Sequence, residues 1–580
     1  IARVRDAPVS QAELDEAKNE IVTATIQGRE TAYGRAFELA DAIIRYGDAA
    51  AADRMLAAIQ ATSAADVQRV ARAIFNERAR VAVRYLPEQE GARGDTIVTS
   101  PTIQARALAI PVSEVPVFSL AAESEREAAP AAGAAVDARI PATAQRTLGN
   151  GLRVIVAPNR ALPLISADLR VASGGSADPR DRAGLASMTA DLLTRGTTTR
   201  SATEIARAIE SLGASISSGA GADSSAVSLQ TRSDRAEEAF VVFADVARNP
   251  AFADEELERA RQQALDGLQV ALSQPGSIAQ FAMTRAIYGQ APYGAIASER
   301  SLTAITRDNM AGFHGAHWRP DNAVLVITGD VSAETGFALA ERHFGTWANP
   351  PGERQAPPDS SAYAAPARTI VVDLPDTGQA AVLMGLRGVS RTDDDYFPLL
   401  VANNVLGGGY SARLNAEIRI RRGLSYGAGA SLSARMAPGP VIASAQTRND
   451  AAVQVVSLMM HEFDNIGSTD ATAEELASRQ ASLIGDFGRS VETTSGVASQ
   501  LSVLALYGLG PEHLRSYVAD VNAVTVAQVR TAGARYFDPG AADLIVVGDA
   551  EVFYEELQRQ RPNAERIAID ELNLDDAALH

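Results

Sequence analysis

Two side chains that could bind a peptide lie close together in the stretch SARLNAEIRIRRGLSYGAGASLSAR, which begins at Ser411. Arg419 falls in a helical pattern, and Tyr426 follows seven residues later in a strand-like segment. Gly423 lies between them, where a glycine ends a helix. A guanidinium and a phenol can both donate hydrogen bonds to a peptide carbonyl, or to the oxyanion that it becomes. Spacing alone leaves open that Arg419 is a solvated arginine and Tyr426 a half-buried strand residue.

Two other patterns could indicate chemistry. Gly423 to Gly427 matches the nucleophile elbow G-x-S-x-G, but an elbow needs a strand before it and a helix after it, and the predicted order here is reversed. His314 and His317 lie three residues apart, just before Trp318, and no carboxylate accompanies them at ligand spacing. We therefore predict neither a serine hydrolase nor a histidine metal pair, and interpret these histidines as structural or surface residues.

The most informative stretch is GLASMTADLLTRGT, residues 184–197. Its apolar residues recur at helical spacing, which predicts a helix ending near Gly196. The stretch resembles the metal-binding helix of the pitrilysin/insulinase family of zinc metallopeptidases, G-L-x-H-x-x-E-H-x-x-x-x-G-[ST]. In that motif two histidines bind zinc from one helix face, and the glutamate takes a proton from the metal-bound water. Ser187, Ala190 and Asp191 stand at these three positions.

The resemblance also implies a third zinc ligand, a glutamate about 75 residues further along on a second helix. That position falls on Gly267, in DEELERARQQALDGLQVALSQP, and a supporting glutamate seven residues earlier falls on Ala260. One carboxylate, at Asp191, cannot replace the three protein ligands of a catalytic zinc site. We therefore expect no metal site and no catalytic residue in this chain. The resemblance places the zinc in the full-length protein or in a partner half.

The same resemblance gives Arg419 and Tyr426 a role. Family members carry a similar stretch, with an arginine in the helix and a tyrosine seven residues later, and both reach the substrate bound at the zinc of the other half. We therefore predict Arg419 and Tyr426 as substrate-binding residues. The small polar stretch GASISSGAGADSSAVSLQT, from Gly213, is similar to a sheet edge that pairs with substrate in active modules. Without a zinc beside it, we interpret it as an ordinary edge strand.

Composition narrows the possible partners. The 580 residues, 46% of them hydrophobic, suffice for several domains with real cores. A net charge of −18 argues against nucleic acid or anionic lipid as a partner. No run approaches the apolar length of a membrane span. The absence of cysteine excludes disulfides and thiolate metal sites.

An internal repeat gives the strongest evidence for the fold. A Glu-Leu pair opens a helical stretch three times, and an aromatic residue follows each leucine after 61 residues. A hydroxyl residue suited to cap a helix lies twelve residues before each aromatic. The three sets are Leu14, Ser63 and Phe75; Leu257, Thr306 and Trp318; and Leu476, Thr525 and Phe537. Apolar strands follow, starting at Val81, Val324 and Leu544, and strand-rich halves precede the second and third copies.

These patterns predict an α+β fold of tandem homologous modules. Each module would be a mostly antiparallel sheet covered by helices, and a long linker would join the two halves of the protein. The predicted boundaries are an incomplete peptidase-like module at 1–88, a linker at 89–145, a zinc-less module at 146–351, a second linker at 352–368, a substrate-contacting module at 369–565 and an acidic tail at 566–580.

Two functions are consistent with this organisation. In the first, the chain is the C-terminal, non-zinc-binding part of a pitrilysin/insulinase-type zinc metalloendopeptidase that hydrolyses peptides in a closed chamber. It closes the chamber and contacts an unfolded peptide, while an N-terminal catalytic half, before Ile1 or in a partner subunit, holds the zinc. The isolated chain would then be inactive. In the alternative, it is a non-catalytic binding or assembly subunit of a peptidase-like complex. Family habits and the lack of cysteine favour a periplasmic or cell-envelope location.

Overall fold

The computed structural model describes residues 1–76, 139–360 and 365–580, with isolated positions at 81, 122, 125, 127 and 133. The strand predicted from Val81 and most of the linker predicted at 89–145 lie outside the described residues. The chain divides into two compact units, one formed by residues 1–10 and 63–134 and the other by residues 11–62 and 135–580.

Five helices form the first 76 residues: α1 (Ala2–Asp6), α2 (Gln11–Gly28), α3 (Ala32–Tyr46), α4 (Ala51–Ala61) and α5 (Ala64–Ile74). In the first unit, α1 and α5 pack together, and Arg72 donates a hydrogen bond of 3.1 Å from Nε to the carbonyl oxygen of Arg5. Helices α2, α3 and α4 belong to the second unit. There α2 packs on a later helix, and Asn19 donates from Nδ2 to the carbonyl oxygen of Ser211.

The second unit contains two complete modules. The elements of the first are β1 (Ala144–Thr147), β2 (Arg153–Pro158), β3 (Leu164–Val171), α6 (Leu185–Leu193), α7 (Ala202–Ser211), β4 (Ser215–Ala220), β5 (Ser225–Arg232), α8 (Ala236–Arg248), α9 (Asp254–Ala271), α10 (Pro275–Tyr288), α11 (Glu299–Ala304), α12 (Arg307–His317), β6 (Ala323–Gly329) and α13 (Ala333–Phe344). We call this the first module.

The second module follows at residue 369. Its elements are β7 (Thr369–Asp373), β8 (Ala380–Arg387), α14 (Tyr396–Gly407), α15 (Arg413–Asn415), a π-helical turn (Ala416–Arg421), β9 (Ser425–Leu432), β10 (Pro440–Thr447), α16 (Ala452–Ser468), α17 (Ala473–Ser490), α18 (Thr494–Leu506), α19 (Glu512–Ala523), α20 (Val526–Tyr536), β11 (Asp543–Gly548), α21 (Ala550–Gln560) and β12 (Glu565–Ala568). In the described ranges, none of the helices combines the length and apolar character that a bilayer span requires.

Each module has one six-stranded sheet, and five strands of the two sheets share one topology. The sixth strand differs, since β1 pairs antiparallel with β2 whereas β12 pairs in parallel with β7. The strand orders are β1-β2-β6-β3-β5-β4 and β12-β7-β11-β8-β10-β9. The pairs β2–β6 and β7–β11 are parallel, whereas β3 and β8 and the strands beyond them pair antiparallel. In the first sheet Leu169 lies opposite Val227 on one side and Leu325 on the other. The predicted α+β fold of tandem, mostly antiparallel modules is confirmed.

The hydroxyl residues of the internal repeat cap helices, as the sequence predicted. Ser63, Thr306 and Thr525 are N-caps of α5, α12 and α20, and each forms a reciprocal capping box with the third residue of its helix. The aromatic residues Phe75, Trp318 and Phe537 are the C-caps of the same three helices. In the two complete modules, Trp318 and Phe537 are buried in the core.

The two modules exchange one helix each. Helix α18 of the second module lies on β3 and β6 of the first, and α10 of the first module lies on β8 and β11 of the second. Apolar residues of α18 share a core cluster with Ile155, Ala157, Val324 and Val326. Polar contacts add to this packing, since Thr328 donates from Oγ1 to the carbonyl oxygen of Thr494 at 2.7 Å. Each sheet is therefore buried on both faces only when both modules are present.

The segment predicted as an acidic tail, residues 566–580, packs on the second module. Strand β12 pairs in parallel with β7, and Leu574 and Leu579 join the cluster between α10 and the sheet. Buried Arg285 of α10 donates from Nε to the carbonyl oxygen of Leu574 at 3.0 Å. Leu574, Leu579 and this arginine hold the segment against α10 and the sheet.

Because α18 covers the sheet of the first module, we predict that a destabilising substitution in α18 also destabilises the first module. Leu501 of α18 is fully buried, and we expect Leu501→Ala to lower the free energy of unfolding by about 2–5 kcal/mol. Urea unfolding measures this loss, and amide hydrogen exchange should quicken in β3 and β6 of the first module as well as in α18. The exposed Val552→Ala serves as control and should cost less than about 0.5 kcal/mol. Faster hydrogen exchange confined to the second module would contradict this interdependence of the two modules.

Candidate functional site

The helix that lacks the zinc motif is well formed. Helix α6 spans Leu185–Leu193, and Gly184 before it has a φ of 99°, which is favourable for glycine and strained for other residues. The apolar positions Leu185, Met188, Leu192 and Leu193 are all buried in the core of the first module. Helix α6 therefore contributes its apolar face to the core of the first module.

A half-buried aspartate that was not predicted from the sequence caps the start of this helix. Asp178 accepts hydrogen bonds of 2.8 Å from the backbone N–H groups of Gly184 and Ala186, which satisfies donors that the helix itself leaves unpaired. Burial raises the pKa of Asp178 to about 7, although these hydrogen bonds act in the opposite direction. No sequence pattern connects an aspartate six residues upstream with a cap of this kind.

The three positions that correspond to the zinc-binding histidines and glutamate offer no ligand set. Ser187 and Asp191 are exposed, whereas Ala190 is fully buried and its carbonyl oxygen accepts a hydrogen bond of 2.7 Å from Ser218 Oγ of β4. Desolvation raises the pKa of Asp191, and Arg195 partly offsets this effect. A neighbouring arginine and a single carboxylate are unfavourable for binding a divalent cation.

The position that corresponds to the family's third zinc ligand also offers no metal ligand. Helix α9 packs on α6, and it carries Ala260 and Gly267 where the family motif has glutamates. Gly267 is exposed, and a Cβ atom there would meet no neighbour within 4 Å. Among the described residues, no group of three or more histidine, aspartate or glutamate side chains could hold a metal ion. The residues present do not fit zinc, and we derive no reaction step through a metal in this module.

A cleft borders the exposed side of α6 at Asp191. It has a volume of about 460 Å³ and lies between α6, β4 and α9, where Asp191, Ser217 and Gln263 contribute to its lining. Strand β4 is the last strand of its sheet, as expected from the small polar stretch beginning at Gly213. Apolar residues such as Met188 and Leu192 also line the cleft, and it has no catalytic group of the family motif.

The Arg419–Tyr426 pair is brought together at the outer edge of the second sheet. Arg419 lies in the π-helical turn, and Tyr426 lies in β9, the last strand of that sheet. The guanidinium carbon of Arg419 is 4.8 Å from the ring centre of Tyr426 and 5.0 Å from that of Tyr410. The cation is therefore within cation–π distance of two tyrosine rings. Tyr410 was not predicted, because nothing in its spacing indicates this contact.

The local backbone explains this placement. In the pairing of β9 with β10, Ala428 faces Ala445 but Ser425 faces Thr447, so β9 has one extra residue at the position of Tyr426. Such a bulge redirects a side chain, and the side chain of Tyr426 is 90% exposed. Gly423, with a φ of 62°, ends the π-helical turn by donating its N–H to the carbonyl oxygen of Arg419 at 2.9 Å. The predicted turn between the two side chains is present.

Arg419 also differs from the arginines beside it. Glu417 forms ion pairs with Arg421 at 2.7 Å and with Arg422 at 2.6 Å, and these contacts, chiefly that with Arg422, lower the pKa of Glu417. Within the described part of the chain, the guanidinium of Arg419 has no hydrogen-bond or ion-pair partner. Its donors remain available to a ligand, in contrast to those of its two neighbours.

The alternative motifs have structural roles. Ser425, the serine of the elbow-like sequence, donates from Oγ to the carbonyl oxygen of Gly427 at 2.6 Å, and a helix precedes it while a strand follows. His314 is buried against the carbonyl oxygen of Ala247, and burial lowers its pKa to about 4. His317 forms a 2.8 Å hydrogen bond with Ser173. These residues support neither a hydrolase nor a metal pair.

Both modules match known protein families. Residues 153–298 match the model of the insulinase family, peptidase family M16, and residues 304–483 match the model of the peptidase M16 inactive domain. A protein described as an uncharacterized zinc protease from Mycobacterium leprae is 28% identical over 400 residues, which is 68% of this chain and 88% of that protein.

Solved structures also match. The peptidase M16 inactive domain from Pseudomonas fluorescens has a TM-score of 0.65 and 27% identity, and the match covers 70% of this chain and 98% of that one. A protease from Helicobacter pylori has the same TM-score at 20% identity, covering 70% of this chain and all of the other. The second likeness concerns the fold alone.

The composition of α6 and α9 predicts that the chain does not hold zinc. After equilibration with zinc and removal of free metal, we expect well below one ion per chain by elemental analysis, because the site supplies fewer than three ligands. A one-to-one zinc content that Asp191→Ala abolishes would contradict this interpretation of the site.

From the raised pKa of Asp178 we predict that the stability of the folded protein depends on pH. This pKa is higher in the folded protein than the ordinary value of 3.8, so between about pH 4 and pH 7 the folded state retains a proton that the unfolded state has lost. The free energy of unfolding therefore falls as the pH rises through this window, by at most about 1.4 kcal/mol per pH unit. Asp178→Asn should flatten this decline in urea unfolding measured from pH 4 to pH 8. Asp181→Asn, at an exposed position nearby, should leave it unchanged, and an equal slope in all three proteins would refute the assignment.

Proposed function

The chain belongs to the insulinase family, peptidase family M16, and on that premise we propose that it is the non-zinc-binding part of a zinc metalloendopeptidase. In this proposal it forms one wall of a closed peptide-binding chamber and contacts the unfolded peptide. The zinc and the catalytic base belong to another half of the enzyme, since α6 and α9 carry no ligand set for them. The inactive-domain description of the Pseudomonas relative is consistent with this division of labour.

The single observation that carries the proposal is the position of Arg419. Its guanidinium packs against the rings of Tyr410 and Tyr426 and has no hydrogen-bond partner in the described residues. This packing restricts the guanidinium, so less side-chain freedom is lost when a ligand binds. A guanidinium and an exposed phenol side by side can donate to successive carbonyl oxygens of an extended peptide, or to the oxyanion of a reacting one.

The edge position of β9 supports the same proposal. An edge strand has backbone N–H and C=O groups that no neighbouring strand pairs, and an extended peptide can add to it as a further strand. Tyr426 lies on that strand, and Arg419 lies directly beside it. A peptide added there would have its backbone next to both side chains. In this arrangement, Arg419 and Tyr426 bind and orient the peptide, and they do not cleave it.

Peptide binding by the 580-residue chain tests this role. With a fluorescent unstructured peptide and a chelator present, we expect Arg419→Ala to weaken binding about tenfold or more, because a hydrogen bond from a charged group contributes roughly 1.5–3 kcal/mol. Tyr426→Phe should weaken it severalfold by removing one neutral donor. Fluorescence anisotropy measures both effects.

The matched control is Arg421→Ala, which removes the same charge from the same turn at a side chain already paired with Glu417. It should change the dissociation constant by less than about twofold, since exposed ion pairs contribute little. Equal losses from Arg419→Ala and Arg421→Ala would indicate only a general charge effect and refute the specific role. No peptide binding by the unsubstituted chain would favour the alternative function, a non-catalytic assembly subunit.

A further inference from the structure

Helix α3 occupies the same place in the internal repeat as α10 and α18. The constant shift in residue number that relates Leu14 to Leu257 and to Leu476 places Ala32–Tyr46 over α10 and α18. The three helices each follow the long helix that carries the repeated leucine, namely α2, α9 and α17. They are therefore three copies of one structural element.

The two later copies have a defined task, which is to cover the sheet of a neighbouring module. The residues of α10 that are buried against the second sheet are Ala279, Ala282, Met283, Ala286 and Ile287. The equivalent residues of α18 include Ala498, Leu501, Ser502 and Ala505. At the same positions of the repeat, α3 carries Ala36, Leu39, Ala40, Ile43 and Ile44. We call this last set the α3 face.

The α3 face keeps the apolar character of its counterparts but lies open. Ile43 and Ile44 are 53% and 83% exposed, whereas Ile287, the counterpart of Ile44 in α10, is 7% exposed. Tyr33 and Phe37 extend the patch with two exposed rings whose centres are 6.0 Å apart. A contiguous apolar patch of this kind on a soluble surface marks an interaction site.

We propose that the α3 face docks on the uncovered sheet of a further module of the same fold. The match in register is the evidence, since the same positions lie under a neighbour's sheet in both other copies. A second copy of this chain cannot supply that sheet, because its two described sheets are already covered by α10 and α18. This docking rests on the proposed function in one respect, because the zinc-binding half would supply the further module.

Photo-crosslinking in the natural protein, expressed from its own gene in its own cells, tests this docking. Benzoylphenylalanine at position 44 should give crosslinked peptides that mass spectrometry assigns to strands of an insulinase-type module outside residues 139–580. The same probe at position 552, replacing Val552, is the control, because this residue is similarly exposed on α21 and has no predicted partner. No crosslink above that control, or crosslinks to this chain's own two modules or to proteins of another fold, would overturn the proposal.

A pair of substitutions separates docking from folding. Ile43→Asp combined with Ile44→Asp should leave the Tm of the isolated chain within about 2 °C, since both side chains are exposed, but should reduce crosslinking from a probe at position 37 about tenfold. Ala286→Asp combined with Ile287→Asp, at the equivalent buried positions, should lower the Tm by many degrees. A low Tm for the α3 pair, or unchanged crosslinking, would refute the inference. Because peptide binding by Arg419 is measured on the isolated chain, that role and this docking can fail independently.

Discussion

The exchange of helices between modules is the constraint on which the rest of this structure depends. A sheet with apolar residues on both faces needs a helix layer on each, and each module supplies from its own sequence only one complete layer. The second layer is α18 for the first module and α10 for the second. The two modules must therefore fold as one unit. Loss of chemistry in one of them does not release it from its structural role, because the other still requires its helix.

The helical structure of α6 does not depend on the residues at the positions of the zinc motif. Its core positions, such as Met188 and Leu192, lie on the face that packs under the sheet, whereas Ser187 and Asp191 lie on the exposed face. Asp178 caps the helix from a separate turn, so the cap is also independent of the metal motif. In the second module, a bulge at the sheet edge places Tyr426 beside Arg419.

The sequence was sufficient for the fold because the repeat signals are local. A hydroxyl cap at Thr306 and an aromatic at Trp318 mark the ends of one helix, and both lie within a short window of sequence. The contact of Tyr410 with Arg419 and the capping by Asp178 were not predictable, because no spacing pattern indicates them although both are local in sequence. The exchange of α10 and α18 was not predictable, because it joins segments whose proximity is fixed only by tertiary packing. The pairing of β12 with β7 was not predictable either, because the acidic composition at 566–580 gives no sign of a sheet partner.

Amide hydrogen exchange of the 580-residue chain, with and without an unstructured peptide and in the presence of a chelator, tests the central claim most directly. If the chain is the metal-free wall of a peptide-binding chamber, the peptide slows exchange in Ser425–Leu432 and in the π-helical turn that carries Arg419. The cores of both sheets should be unaffected, and the peptide should remain intact. Unchanged exchange in β9 at saturating peptide, or cleavage of the peptide without added metal, would contradict the account.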